Sequence, residues 1–225
     1  MPPPRVIAID GAASSGKSTL ARGLARRLAL PYINTGLMYR ALTAAALATE
    51  VSVEDEPSLI GLMQGLRFSL DDSDPRSLAV QGWPLASLVT LDVEANVSAV
   101  ARHGGVRTLM RSVQRRLGEE FGAVMEGRDI GSVVFSDAPV KIYLEADPGA
   151  RAQRRSAERT EVDAPGNAAD GVGEALHLRD RRDAVTNPHA PADGAVVIDT
   201  TDLDAEQTLV AALAVVAARA RELVP

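Results

Sequence analysis

Cysteine is absent from the chain, which excludes disulfides and thiolate metal sites and gives no support for secretion. Aromatic residues make up only 3% against 46% hydrophobic residues, so an aliphatic, alanine-rich core is expected. No apolar run approaches the roughly 20 residues that span a bilayer, and the N-terminus has no signal-peptide pattern. A cytoplasmic protein without a membrane partner is expected. Lysine is nearly missing: Lys17 and Lys141 are the only two, so almost every cation is an arginine. The formal net charge of −6 argues against a nucleic-acid partner, which demands broad positive surface. The 3 histidines, His103, His177 and His189, share no metal-ligand spacing. No stretch marks an obligate partner face, so a monomer is expected.

What is present is a strand–helix alternation. The length of 225 residues fits one large α/β domain with small inserted lobes. A short apolar run over 6–10 reads as a buried parallel strand. Leu20, Leu24 and Leu28 then repeat at helical spacing until Pro31. A brief second strand over 32–34 precedes an alanine-rich helix over 37–49. Segments 66–70 and 77–80 look like two short strands joined by an Asp/Ser/Pro turn, and 51–100 as a whole reads as a small insertion. A helix over 105–121, strands over 123–126 and 140–145, and a helix over 148–158 return to the alternation. Segment 160–173, rich in Gly, Ala, Asp and Pro, has the composition of a mobile loop. A helix over 174–182, a fifth strand over 195–199 and a closing helix over 203–223 complete the chain. Five apolar strands alternating with helices predict an α/β fold, a five-stranded parallel sheet covered on both faces.

The most informative stretch is Gly11-Ala12-Ala13-Ser14-Ser15-Gly16-Lys17-Ser18, followed by Thr19. The pattern G-x-x-x-x-G-K-[ST] means a phosphate cradle only between a strand and a helix, which is where it lies. Glycines let the loop wrap so that successive N–H groups point at a phosphate chain, and the helix adds its uncapped N–H groups and dipole. Lys17 would reach the β and γ phosphates, and the Ser18 hydroxyl would ligate Mg²⁺. A plain Gly/Ser turn with a solvated lysine is the competing reading. By composition alone the pattern arises in roughly one chain in a hundred of this size, and the flanking elements make chance rarer.

Ligands of parallel sheets sit at the carboxyl ends of the strands. Strand two ends in Asn34-Thr35-Gly36, with Tyr39 and Arg40 one turn on, and strand three ends in Gly127-Arg128-Asp129. Topology alone therefore aims Arg40 and Arg128 at the mouth beside the phosphate loop, against the alternative of a surface turn with a local ion pair. These blocks, with Val97-Ser98-Ala99-Val100-Ala101, Val106-Arg107, the run from Glu126 to Phe135, Arg154-Arg155 and Arg179-Asp180-Arg181-Arg182-Asp183, resemble the bacterial cytidylate kinases. The likeness runs in order along essentially the whole chain.

That resemblance implies a P-loop three-layer fold with an inserted nucleoside-monophosphate lobe at about 51–100 and a mobile lid at about 151–185. The core would then be 1–50, 101–150 and 190–225. It implies that ATP is held by Gly11 through Thr19, and that CMP or dCMP is the acceptor. Arg40 and Arg128 would hold the acceptor phosphate, while Ser98, Arg107 and Asp129 read the cytosine edge and Thr35 lies near base or phosphate. Arg179 and Asp183 would contact the ribose, and Lys17, Arg128, Arg154 and Arg155 would follow the transferring group. One departure stands out: Thr186 lies about where the family often has another phosphate-gripping arginine. Either Arg182 or another lid arginine supplies that charge, or acceptor binding is weaker. The acceptor is a phosphate monoester with a second pKa near about 6, so no general base is required. The alternatives are a P-loop kinase for another small acceptor, such as another nucleoside monophosphate or shikimate, and a nucleotide-dependent switch without acceptor chemistry.

Overall fold

The computed structural model describes residues 6–162 and 190–222. Its centre is strand β1 (Val6–Gly11), buried along its whole length. The remaining sheet strands are β2 (Tyr32–Asn34), β5 (Ala123–Glu126), β6 (Val140–Glu145) and β7 (Val196–Asp199), in the order β2-β5-β1-β6-β7. Every neighbouring pair is parallel, so all five carboxyl ends open on one edge. Ile9 lies opposite Glu126 and Gly11 opposite Leu144, which sets the phosphate loop level with the ends of its two neighbours.

Helices cover both faces, because strands apolar on both sides have no face to give to water. Helices α1 (Lys17–Leu28) and α8 (Ala205–Glu222) pack one face through Leu20, Leu24, Ala212 and Val216 on Ile7, Ile9, Val124 and Ile142. Helices α2 (Thr35–Ala48) and α6 (Gly104–Phe121) cover the other through Met38, Leu42, Val106 and Met110 on Val6, Ala8, Ile33 and Met125. The three-layer expectation is met, with strand boundaries within a residue or two of those read from the pattern. Helix α2 begins at Thr35 rather than 37, because the Asn34 side chain caps it by accepting from the Leu37 N–H at 3.3 Å.

Between α2 and α6 the expected two short strands are present as an antiparallel pair, β3 (Phe68–Leu70) and β4 (Leu78–Val80). The same stretch also holds α3 (Glu56–Gly65), α4 (Leu85–Leu88) and α5 (Leu91–Ala101), which the periodicity reading left unassigned. Helices α3 and α5 are capped by the Asp55 and Thr90 side chains. Val80, Leu88 and Val93 close on Ala41 and Ala44 of α2, with Trp83 packed at the margin, which makes this segment a cap on α2. Helix α7 (Pro148–Val162) runs beyond the expected end at 158. The first three residues of the loop expected over 160–173 are thus helical, and the rest of it and the helix expected over 174–182 lie outside the described residues.

Candidate active site

The loop between β1 and α1 has the backbone its glycines predict. Gly11 has φ 149° and a Cβ there would sit 2.4 Å from the Leu144 carbonyl oxygen, so no side chain fits. Gly16 caps α1 at φ 91° with no side-chain hydrogen bond, and no acidic residue lies in the first turn. The N–H groups and positive dipole of a 12-residue helix therefore open toward the sheet edge. Lys17 curls back over the loop, its Nζ donating to the Ala12 carbonyl at 2.5 Å.

Beside this loop stands a carboxylate that the motif reading passed over. Glu126, at the end of β5, is 3% exposed, and its Oε2 accepts from the Ser18 hydroxyl at 3.0 Å. Its Oε1 accepts from the Tyr32 hydroxyl, and Tyr32 OH in turn accepts from Asn34 Nδ2 at 3.3 Å. Burial and the adjacent Glu126 charge push the Tyr32 phenol well above its ordinary range, so it stays a neutral donor. Thr35 Oγ1 donates to the Glu126 backbone carbonyl at 2.7 Å. Thr35 is thereby joined to the strand end, and its hydroxyl proton is engaged there.

One turn on, Gly127-Arg128-Asp129 leads into a π-helical turn, Ile130–Val134. Asp129 Oδ2 meets Arg107 Nη2 of α6 at 2.5 Å, with 16% and 18% of the Arg107 and Asp129 side chains exposed. That pair joins residues 22 apart in sequence and presents one guanidinium and one carboxylate edge together. Tyr39, half-buried close to it, has its phenol pushed up to about 12 by desolvation. The turn is held from below by Asp10, whose Oδ1 and Oδ2 accept from the Ile130 and Gly131 N–H groups at 2.8 and 2.7 Å. Burial raises the Asp10 carboxyl to about 6, against the lowering effect of those two N–H groups and of Lys17.

A cavity of about 260 Å³ collects most of the expected residues on its walls. Lys17, Ser18 and Thr19 line the loop side, and Thr35, Arg40, Ser98, Arg107, Arg128 and Asp129 the opposite side. Arg155 of α7 reaches the rim, where it is paired with Glu94 of α5. Arg40 also donates to the Leu88 carbonyl at 3.3 Å, joining α2 to the segment that caps it.

Arg154 goes elsewhere. Its guanidinium holds Thr200 Oγ1 at 3.0 Å and the Thr200 and Leu203 carbonyls, lining a second cavity of about 270 Å³ behind the loop. Ser15, Gly16, Thr19 and Ala157 line it too. Arg154 and Arg155 are consecutive on a helix and so diverge by about 100°, which is why the expected pair serves two cavities. The sequence reading gave no role to Arg151, which is buried and donates to the Ala13 carbonyl at 3.3 Å, bracing the loop from α7. Arg179 and Asp183, expected at the ribose, and Thr186 lie outside the described residues. Half-buried His103 is within 2.9 Å of the Val53 carbonyl, and no metal-holding cluster of three or more His, Cys, Asp or Glu occurs among the described residues.

Glu126 and Asp10 were both readable as polar residues at strand ends, but their partners are 108 and 120 residues away. The signal that could have found them is an acidic residue at the carboxyl end of an otherwise apolar strand, a costly placement unless it has work there.

Comparison with known proteins agrees with this geometry. The cytidylate kinase family matches residues 7–218. Cytidylate kinase of Geobacillus sp. (strain WCH70) is 40% identical over 207 residues, covering 90% of this chain and 92% of the relative. That of Deinococcus radiodurans is 40% identical over 209 residues, 91% of this chain and 95% of the relative. That of Geobacillus thermodenitrificans is 42% identical over 222 residues, 97% of this chain and 95% of the relative. With a match whose range spans the phosphate loop, Arg40, Arg128 and the Arg107–Asp129 pair, the chain belongs to the cytidylate kinase family.

Proposed function

We propose that the chain transfers the γ-phosphoryl group of ATP to the phosphate of CMP or dCMP, acting as a monomer in the cytoplasm. The observation that carries this reading is the single cavity in which the phosphate loop faces Arg40, Arg128 and the Arg107–Asp129 pair. No helix among the described residues is long and apolar enough to cross a membrane.

The chemistry is a positioning and charge problem, since the acceptor phosphate already carries most of its negative charge at neutral pH. Loop N–H groups and Lys17 take the donor's phosphates, while Arg40 and Arg128 take the acceptor's, so two polyanions meet across a wall of positive charge. Arg107 and Asp129 read the base: the carboxylate accepts from the exocyclic amino group, and the guanidinium donates to ring acceptors, with Ser98 alongside. UMP has a carbonyl where CMP has that amino group, and a carbonyl against a carboxylate is repelled. The second cavity, beside Arg154 and Thr200, suits the base of the donor nucleotide, which would leave Arg155 to the phosphates.

Mg²⁺ fits the oxygen donors at the loop. A hydroxyl with a buried carboxylate behind it, and no cluster of three acids, matches an ion that takes one or two protein oxygens and keeps waters and phosphate oxygens for the rest. Ser18 would hold it. Bound there, the ion would neutralise charge on the donor's phosphates. Glu126, by accepting a hydrogen bond from the Ser18 hydroxyl, would leave that oxygen's lone pairs free for the ion. Segments 51–100 and 151–185 act in this reading as acceptor lobe and lid, the lid excluding water so that transfer prevails over hydrolysis.

The test is ADP release with ATP and Mg²⁺ across CMP, dCMP, UMP, AMP, GMP and shikimate. Release with CMP and dCMP far above the rest is expected. Release driven by another acceptor would discard the roles of Ser98, Arg107 and Asp129, and release with none would favour a nucleotide switch.

A further inference from the structure

We propose that Asp10 is a positioning residue for the acceptor site: from inside β1 it fixes the turn that carries Arg128 and Asp129. The inference rests on the reading of that cavity given above. Asp10 is 6% exposed and lies directly before the phosphate loop, where a buried carboxylate costs stability unless it is bonded. Asp10 does not itself line the cavity. Both its oxygens go instead to the N–H groups of Ile130 and Gly131, at 2.8 and 2.7 Å, the two residues after Asp129.

The other end of the turn is pinned to the same strand. The Gly127 N–H donates to the Ile9 carbonyl at 3.0 Å. Arg128 and Asp129 thus lie between two anchor points, both on consecutive residues of β1. The Asp129 carbonyl then accepts from the Val133 and Val134 N–H groups at 2.9 and 3.1 Å, which locks the turn that follows. Close packing leaves little slack: a Cβ on Gly131 would lie 3.3 Å from Asp10 Oδ2, and one on Gly127 would lie 2.7 Å from both Ile130 Cδ1 and Thr35 Oγ1. The strand that feeds the donor's phosphate loop therefore also sets where the acceptor's arginine and base-reading carboxylate stand. In-line transfer depends on that separation, because misplacing reacting groups by about 1 Å costs on the order of 10²-fold.

Only a carboxylate does this at full strength. It offers one acceptor oxygen to each N–H, and both bonds are charge-assisted. An asparagine has the same shape but only one oxygen, so its amide nitrogen must face an N–H and push that end of the turn away. Charged groups near Asp10 are Lys17 from α1 and Asp129 from the turn itself, with the Lys141 stem beside Gly131.

The experiment compares wild type, Asp10→Asn and Gly131→Ala by steady-state kinetics with ATP against CMP and UMP, with thermal unfolding alongside. For Asp10→Asn, kcat/KM with CMP should fall about 10- to 100-fold, the CMP/UMP ratio should shrink, and the KM for ATP should stay within about threefold. Gly131→Ala crowds the same contact while keeping the carboxylate, and should show the same split; it decides the matter if Asp10→Asn fails to fold. Lower thermal stability with an unchanged CMP/UMP ratio and unchanged KM for CMP would reduce Asp10 to a structural residue and overturn the proposal. A wild-type chain without CMP-dependent ADP release would overturn the functional reading itself, a distinct outcome.

Discussion

Asp129→Asn separates the base-reading role proposed for the Arg107–Asp129 pair from a structural one. The replacement keeps shape and one acceptor oxygen but removes the charge that faces Arg107 at 2.5 Å. Less than a fifth of either side chain is exposed, so the bond that the carboxylate would give the cytosine amino group in the proposed reading is a partly desolvated, charge-assisted one. Such a bond is worth roughly 1.5–3 kcal/mol, which corresponds to about 10- to 150-fold in kcat/KM for CMP. UMP makes no amino-group bond to lose and is relieved of a repulsion, so its kcat/KM should hold or rise. The CMP/UMP ratio should therefore drop by about 10- to 150-fold, read from ADP release at saturating ATP with each acceptor varied. A parallel fall for both acceptors, leaving the ratio within about threefold of wild type, would refute the reasoning. It would show that Asp129 only holds Arg107 in place and that the base is read elsewhere.

Arg128→Ala should lower turnover with CMP by about 10²-fold or more, since in the proposed reading it removes a charge that holds the acceptor phosphate. Near-normal turnover would sink that assignment. Gly118→Ala, in α6 and away from the cavity, would place a Cβ 2.6 Å from Phe135 Cζ and 3.2 Å from Val6 Cγ2. A cost of about 1–3 kcal/mol from overpacking is expected in chemical unfolding, with KM for CMP and ATP unmoved; an unchanged unfolding midpoint would mean the Phe135 ring moves aside freely. Asp10 also predicts a pH dependence of stability. Its carboxyl titrates near 6 in the fold against an ordinary 3.8, so the folded state holds the proton more tightly. Its contribution is fully present below pH 3.8 and is lost as pH rises through 6, leaving a burial cost of order 3 kcal/mol at neutral pH. The stability of wild type relative to Asp10→Asn should fall between pH 4 and 7, and a difference that stays flat across that window would show the carboxyl is not shifted.

The sheet and its flanking helices were legible because each is local: a short apolar run or a helical repeat bounded by Pro, Gly or Asn within the same dozen residues. The phosphate loop was legible for the same reason, since its whole mechanism lies in Gly11 to Ser18 and the elements on either side. Arg40 and Arg128 could be placed at one mouth from topology alone, as they follow the carboxyl ends of β2 and β5. Helices α3 and α5 escaped even though their marks are present. Val93, Val97 and Val100 repeat at helical spacing behind a Thr90 cap, and Leu59 and Met63 do so behind Asp55. Both are short and interleave helix formers with Gly, Ser, Asn and β-branched residues, and α5 is supported by its packing on α2.

What composition and spacing do not carry is the set of contacts that converts these residues into one site. Ser18 needs Glu126, Arg107 needs Asp129, and Ile130 and Gly131 need Asp10, each across 22 to 121 residues of chain. These contacts have a common origin in the sheet order. Placing β5 beside β1 brings Glu126 next to the phosphate loop and the Arg128 turn over Asp10 in a single step. The phosphate-loop side of the cavity and the Arg128–Asp129 side are therefore the neighbouring carboxyl ends of one strand pair, and the separation between them is set by the pairing of β1 with β5.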